Sequence, residues 1–546
     1  MNKKVKSLFL IFSLLIVLFS VNSVFASDVN NTDVNTLSDD NNILLNDNSS
    51  TVIMDSNSNS KSFTDLQNIV DSKNNNDVIN LDSDYVYDPS TDSNTGVNIN
   101  KNLTINGNGH VFNGMNKTSF FNITAPNVSL KLNNLKFING YTNNRYAGII
   151  YSNNLNTSLS VTNCDFDKNT GVNIYLNQKG NLYISNTNFS NIKLEVSANG
   201  NAIHASNNDI TIINSTFSNL TGKSYAGAIM AVGDLSKQVN AKFVVKNTSF
   251  YNCYSPGEGG ALYLVKMDCL IDNCTFLNCT SETKGGAIST NYDNLTIINS
   301  RFINNKIGKE KIGKVNYIST GGAINLKKSN CNIDNCTFNN NSAFYGSDLY
   351  FTGNDNNYNL TVNNSKFNKG NSAYGSCYIL DKNNYYFNNS IFSNTDSLYF
   401  GSLVLGISNG TINNCSFINI SSKIGGSIIT NGNLTISNST FNNGNSSKFD
   451  ILKFISSNLT TINDTPIKVK NTNPIYQTEK GYINVSLEYG FNGFCSEDTM
   501  NYAGIGTEQN LVDTIYLVNK ISREPVGDYL KILLYKYYFK INPKTM

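Results

Sequence analysis

The sequence predicts an all-β fold, a right-handed parallel β-helix with a short N-terminal capping helix and a small C-terminal domain. Three observations predict it. A phenylalanine returns at a near-constant interval. A Gly-Gly-Ala step returns between the phenylalanines. The residues flanking both alternate apolar and polar, as strands do.

The order along the chain begins with a leader. Lys3, Lys4 and Lys6 precede an uncharged, mostly apolar run from Ser7 to Val24, and Val24-Phe25-Ala26 ends it ahead of Ser27. This layout predicts a cleaved secretory signal peptide over 1–26. A membrane-spanning anchor is the rival, because the run is just long enough to cross a bilayer. No second run of that length follows, so the mature chain is expected in the extracellular space or at the cell surface, with no transmembrane segment after cleavage. Residues 27–60 are Ser, Asn and Asp with few apolar groups, the composition of a disordered linker.

Residues 61–100 read as the N-terminal cap of the solenoid. Phe63, Leu66, Ile69 and Val70 lie at helical spacing behind the cap-type residues Ser62 and Thr64. Val78-Ile-Asn-Leu81 then reads as a strand. The open end of a β-helix is an unpaired sheet edge, and a helix laid over it removes that edge.

The repeats occupy 101–465. Their unit is apolar-Thr-apolar-x-Asn-[Ser/Cys]-x-Phe, as in Leu295-Thr-Ile-Ile-Asn-Ser-Arg-Phe302. The marker falls at Phe137, Phe166, Phe189, Phe217, Phe250, Phe276, Phe302, Phe338, Phe367, Phe392, Phe417 and Phe441, with gaps of 23 to 36 residues. The mean of about 28 lies in the solenoid range. Between markers stand Gly259-Gly260-Ala, Gly285-Gly286-Ala, Gly321-Gly322-Ala and Gly425-Gly426-Ser, with looser copies such as Gly346-Ser-Asp-Leu349. Leu295 and Ile297 alternate with Thr296, so one face of that strand is apolar. Asn and Gly accept left-handed backbone and serve the corners. The Gly-Gly pair is expected to make a sharp bend, and the following Ala to leave room in a narrow bore. One coil cannot bury its apolar face alone; stacking some twelve coils does so and aligns Asn, Ser and Phe into ladders. Propeller blades repeat at about 40 residues or more, which these units do not reach.

Composition narrows the function classes. Charged residues are 15% of the chain and the net charge is +2, so there is no electrostatic case for nucleic acid. Arginine occurs only as Arg145, Arg301 and Arg523, and the 2 histidines are His110 and His204. No cofactor motif is present and no cofactor is expected. Of the 10 cysteines, Cys164, Cys274, Cys336 and Cys415 share one repeat slot with Ser215, Ser300, Ser365, Ser390 and Ser439, and read as small buried fillers. Cys253, Cys269, Cys279, Cys331 and Cys377 are less regular and could pair. No Cys-x-x-Cys pair with a nearby His completes a zinc set, so no metal site is expected.

A parallel β-helix also serves polysaccharide lyases and hydrolases, which need paired or clustered acids. The nearest in phase are Glu258, Asp268, Asp272 and Asp334. Asp272 and Asp334 occupy one repeat position, two before Cys, and read as coil-surface residues. With Arg and His so scarce, the chain is expected not to be an enzyme.

Gly-Gly-Ala-[Ile/Leu] and Phe-x-x-Asn, as in Phe302-Ile-Asn-Asn305 and Phe338-Asn-Asn-Asn341, together resemble the repeats of chlamydial polymorphic outer-membrane proteins. The Asn-rich composition and leader resemble still more the adhesin-like surface proteins of gut methanogenic archaea, which carry the same repeats. The resemblance spans roughly residues 100–460; Phe250-Tyr-Asn252 departs from it by lacking the second spacer. It implies a β-helix displayed at the cell surface, with extracellular glycans, the surfaces of other cells and the cell's own envelope as partners. It supplies no catalytic set. A carbohydrate-active β-helix enzyme and a structural envelope protein are the alternatives.

After about residue 465 the repeat stops, and 466–546 read as a small C-terminal domain that ends abruptly at Met546, as a truncated domain would. Its Phe-Asn-Gly-Phe-Cys495 segment is similar to the start of the thioester domains of bacterial adhesins. That similarity implies a bond from Cys495 to a downstream glutamine, here Gln509; a packed or free cysteine is the other reading.

Overall fold

The computed structural model describes residues 60–446 except 238–239, 309–318, 354–356, 382, 407, 423–426, 431–433 and 443–444, together with a few strand segments further on. The leader, nearly all of the linker and of the C-terminal domain, including Cys495 and Gln509, and the Gly425-Gly426 step lie outside the described residues.

Helix α1 (Phe63–Ser72) follows the expected cap. The Ser62 hydroxyl accepts from the Asp65 N–H, and the Asp65 carboxylate accepts from the Ser62 N–H. This reciprocal pair satisfies two of the donors a helix start leaves open. The Lys101 ammonium closes the other end on the carbonyl of Lys73 at 2.8 Å. Phe63, Leu66 and Val70 are buried in the same core as the solenoid, and the Phe63 ring meets Phe112 edge-on at 5.7 Å. The helix therefore plugs the N-terminal end of the bore.

Three long parallel sheets follow, each drawing one strand from every coil. The first has 14 strands, the second 15 and the third 14. The first contains the apolar-Thr-apolar segments, from Asp77–Asn80 to Leu434–Ser437. The second contains the phenylalanines, and the third begins after the Gly-Gly-Ala step. A fourth sheet of 8 short strands runs beside the later coils, from Tyr254–Ser255 to Asn445–Ser446. The fold is an all-β right-handed parallel solenoid with one short helix near its start. The stretch 61–100 holds both the helix and a first coil, whose strands begin at Asp77. The stack is therefore longer than the twelve coils counted from the markers, because the phenylalanine column extends back through Phe112 to Tyr85.

The column itself accounts for the marker. From Phe137 to Phe441 consecutive rings are stacked; Phe276 and Phe302, for instance, lie 4.9 Å apart with 2° between planes. Phe217, Phe250, Phe276, Phe302, Phe338, Phe417 and Phe441 are all buried. The coil spacing of a parallel sheet, about 4.8 Å, dictates that ring distance.

Asparagine turns the corner on each side of the phenylalanine strand. Asn273 and Asn278 flank Phe276 with φ of 51° and 55°, as Asn299 and Asn304 flank Phe302 with 53° and 55°. Left-handed backbone costs Asn less than other residues with a Cβ. Its side chain also joins coils: the Asn273 amide donates to Asn247 at 2.9 Å, and Asn247 to Asn214 at 3.0 Å. The last residue of Phe-x-x-Asn points inward. Asn305 is fully buried, accepts the Cys279 N–H at 3.0 Å and donates to the Phe276 carbonyl at 3.1 Å.

The two glycines of each step do different work. Gly259, Gly285 and Gly321 are left-handed, with φ of 71°, 62° and 67°. Gly260, Gly286 and Gly322 are not, and the expectation that the pair together makes the bend is corrected here. A Cβ on Gly260 would stand 1.9 Å from the Gly286 carbonyl oxygen, and one on Gly286 2.0 Å from that of Gly322. The second glycine is demanded by the coil above it.

Candidate ligand-binding face on the third sheet

In each third-sheet strand from Gly148–Ser152 to Cys377–Ile379 an inward Ile, Leu or Cys is followed by a residue that points outward. The register lines these outward residues up in one column: Tyr151, Tyr175, His204, Met230, Tyr263, Ser289, Asn325, Tyr350 and Tyr378. Aromatic rings stack along parts of it. Tyr151 and Tyr175 lie 5.8 Å apart, and Tyr175 and His204 lie 4.5 Å apart with 19° between planes. Tyr225, from the turn ahead of its strand, stacks on Tyr263 of the next coil at 4.8 Å.

The inter-sheet turns decide how open this face is. Over the early coils, Leu194 and Ala198 fold onto Val172 and Tyr175 in a small hydrophobic cluster outside the bore, with Tyr151 and Val196 against it. Tyr151, His204, Met230 and Tyr263 remain partly accessible, and Tyr146 and Tyr225 are exposed. Over the later coils, Tyr345, Tyr374 and Tyr378 form a buried aromatic cluster between the third and fourth sheets, so there the column is packing.

Polar groups border the open stretch. The Tyr141 hydroxyl donates to the Glu195 carboxylate at 3.1 Å. His204 Nδ1 faces the Asn199 carbonyl at 3.2 Å and must donate there, which leaves Nε2 as the acceptor toward the Ser206 hydroxyl at 3.4 Å. Burial pulls the His204 pKa below its ordinary value, so the ring is neutral at neutral pH. Above Tyr263, Glu258 accepts from Lys284 at 3.0 Å and from the Ser289 hydroxyl at 2.9 Å. Asn325 donates to Ser289 at 3.3 Å and accepts from Thr320 at 2.8 Å.

The acids singled out in the sequence do not come together. Asp268, Asp272 and Asp334 lie on the first sheet, where Asp272 and Asp334 share one column with Ile298 between them. Asp272 accepts from Asn299 at 3.0 Å and Asp334 from Asn364 at 2.7 Å, so both stand in for Asn as ladder acceptors. Glu258 alone reaches the third-sheet face.

Two buried carboxyls escaped the sequence reading. Asp348 fills the slot that Ala261, Ala287 and Ala323 take in other coils and accepts from Asn341 at 2.8 Å. Asp293 accepts the Met267 and Asn291 N–H groups at 2.6 and 2.8 Å. Burial raises them to about 7 and about 8 respectively. The aromatic column also went unnoticed, although Tyr directly after an inward Ile or Leu of the strand, as in Ile150-Tyr151, Ile174-Tyr175, Leu262-Tyr263 and Leu349-Tyr350, is a periodic signal. The five cysteines that could pair do not: Cys253, Cys269, Cys279, Cys331 and Cys377 are free and buried, as are the four in the serine slot. They are packed in the core, where Cys269, Cys331 and Cys377 take register positions that Phe or Leu hold in the adjacent coils. Among the described residues, no group of three or more His, Cys, Asp or Glu side chains is placed to hold a metal ion, and no helix is long and apolar enough to cross a membrane.

The family comparison agrees with this architecture. Residues 147–313 match the family model for a right-handed β-helix region. No curated protein matches the chain. Among solved structures, a PL6 alginate lyase complexed with a trisaccharide aligns at 11% identity and TM-score 0.31, over 79% of this chain and 88% of that one. The alginate lyase AlyF-OU02 aligns at 10% identity and TM-score 0.25, over 80% of this chain and 90% of that one. The receptor-binding domain of the Siphovirus 9NA tailspike aligns at 11% identity and TM-score 0.23, over 78% of this chain and 79% of that one. Sequence match and register together identify residues 147–313 as a right-handed β-helix region, continuous with the coils on either side of it.

Proposed function

We propose that this chain is a secreted, cell-surface protein of adhesin type whose β-helix presents a glycan-binding face. The supporting observation is the outward column of the third sheet. Partly exposed rings at Tyr151, His204 and Tyr263 and the exposed Tyr225 form a row whose Tyr263 end meets the partly accessible Glu258–Lys284 ion pair, backed by the buried Ser289 and Asn325. Sugars present apolar C–H faces and hydroxyl edges, and such a row offers a partner to both. A rigid scaffold holds the row, because every strand that carries it is paired on both sides within the described coils. Secretion rests on the leader, and display on the repeat resemblance. The partners are extracellular glycans and the surfaces of other cells, with the cell's own envelope as the point of attachment.

The carbohydrate-active enzyme reading draws on the same face. It needs a free base, yet Glu195 accepts from Tyr141 and Glu258 from Lys284 and Ser289, burial raises the Tyr151 and Tyr175 hydroxyls, and both nitrogens of His204 are occupied. Binding without turnover fits these groups better. Brief protease treatment of intact cells tests display: peptides from the 60–446 region should be released ahead of cytoplasmic markers. Their appearance only after lysis would refute surface display.

A further inference from the structure

The chain has three arginines and two histidines, and one of each lies on this face. Arg145 sits in the turn that leads into the Gly148–Ser152 strand, with its guanidinium carbon 4.8 Å from the centre of the Tyr146 ring. Stacking of that kind occupies the π face of the guanidinium and leaves its edge N–H donors available. The same strand carries Tyr151, which neighbours Tyr175, which in turn stacks on His204. The Tyr175 hydroxyl is raised first by burial, then by Tyr151 and Tyr146, and is lowered by Arg145. Arg145 forms no ion pair among the described residues. The carboxylate on this part of the face, Glu195, is held by Tyr141 instead.

A planar cation with open edge donors is matched by a planar carboxylate, which takes two parallel hydrogen bonds from it. A ring beside that cation is matched by the C–H face of a sugar. We infer that Arg145 and Tyr146 form a subsite for an acidic sugar, with the uronate carboxylate on the Arg145 edge and the pyranose face against the Tyr146 ring. This deepens the glycan-binding reading and rests on it. Neutral His204 adds no second charge, so one carboxylate per subsite is the expected stoichiometry.

The test measures affinity of the full chain for a uronic-acid oligosaccharide, for the same oligosaccharide with its carboxyls reduced to alcohols, and for a sulfated neutral one. The acidic ligand should bind tightest. Arg145→Gln should weaken it about tenfold, the loss of one charge-assisted pair, and leave the reduced ligand unchanged. Arg145→Lys should recover only part, because an ammonium cannot make the two parallel bonds. Arg145 is exposed in a turn, and unchanged melting confirms that its variants fold. Equal binding of the acidic and reduced ligands, preference for the sulfated one, or indifference to Arg145→Gln would overturn the subsite while leaving glycan binding standing. Absence of binding to acidic, reduced and neutral sugars alike would overturn both.

Discussion

The imidazole of His204 lies on the phenol ring of Tyr175, with centroids 4.5 Å apart. The two residues are register partners in adjacent coils of the third sheet. The contact joins the buried part of the outward column to its accessible part, and its protonation state follows from its depth.

His204 is held below its ordinary pKa of 6.5 by burial. A histidine whose folded pKa is depressed contributes stability that is present above the unfolded pKa and is lost as pH falls below it, because the unfolded chain then binds the extra proton. His204 therefore contributes a loss of stability as pH is lowered from about 7 to about 5, against the opposite contribution of the buried Asp348 and Asp293 carboxyls. His204→Phe keeps the ring and removes that loss, so the melting temperature of the variant should rise relative to the parent as pH falls through this window. A profile unchanged by the substitution would contradict the assignment.

Asp348 acts in the opposite sense. Its folded pKa of about 7 stands above the unfolded value of 3.8 because of burial. Stability from the neutral carboxyl is complete below the unfolded value and is lost as pH rises through the folded one. Asp348→Asn imitates the neutral acid, keeping an acceptor for Asn341 and a donor for the neighbouring hydroxyls. It should stabilise the chain at pH 8 by about 2–4 kcal/mol, at about 1.4 kcal/mol for each tenfold difference in proton affinity between the folded and unfolded chain, and do little at pH 4. Denaturant midpoints at the two pH values measure the difference.

Gly260→Ala places a methyl carbon 1.9 Å from the Gly286 carbonyl oxygen. The obstacle is backbone in the next coil, so relief requires the coils to part. The cost should be about 3 kcal/mol or more, at the upper end of overpacked cores, and read out as a lower denaturant midpoint. A neutral outcome would mean that this corner is looser than described.

The nine described cysteines are buried and unpaired, and burial raises Cys164 and Cys274 to about 12. A thiol of that kind is neither exposed nor a thiolate. Alkylating reagent should leave these nine untouched in the native chain and modify them all after unfolding, as peptide mapping would show. Native labelling at Cys253 or Cys279 would argue against the packed bore.

These cases separate what was legible in the sequence from what was not. The phenylalanine column and the Asn corners were legible because each slot demands one residue type in coil after coil: a ring that stacks at the coil spacing, or a backbone that accepts φ near +50°. The role of Gly260 was not, because the constraint comes from Gly286 in the next coil rather than from its own turn. Asp348 was hidden because what accommodates it is spread out: Asn341 lies seven residues back and Ser376 in the next coil, with only Ser347 adjacent. The outward column was masked because His204, Met230, Ser289 and Asn325 interrupt its tyrosines. Only the register shows them to be one row.

The central claim is that this row binds sugars. The most direct measurement is binding of the full chain to an array of neutral and acidic glycans, repeated with Tyr225→Ala, which removes an exposed ring from its stack on Tyr263. The account predicts binding to a subset of glycans and a loss of about tenfold in the variant, the scale of one ring contact. A folded chain that binds no glycan, or a variant that binds as tightly as the parent, would contradict it.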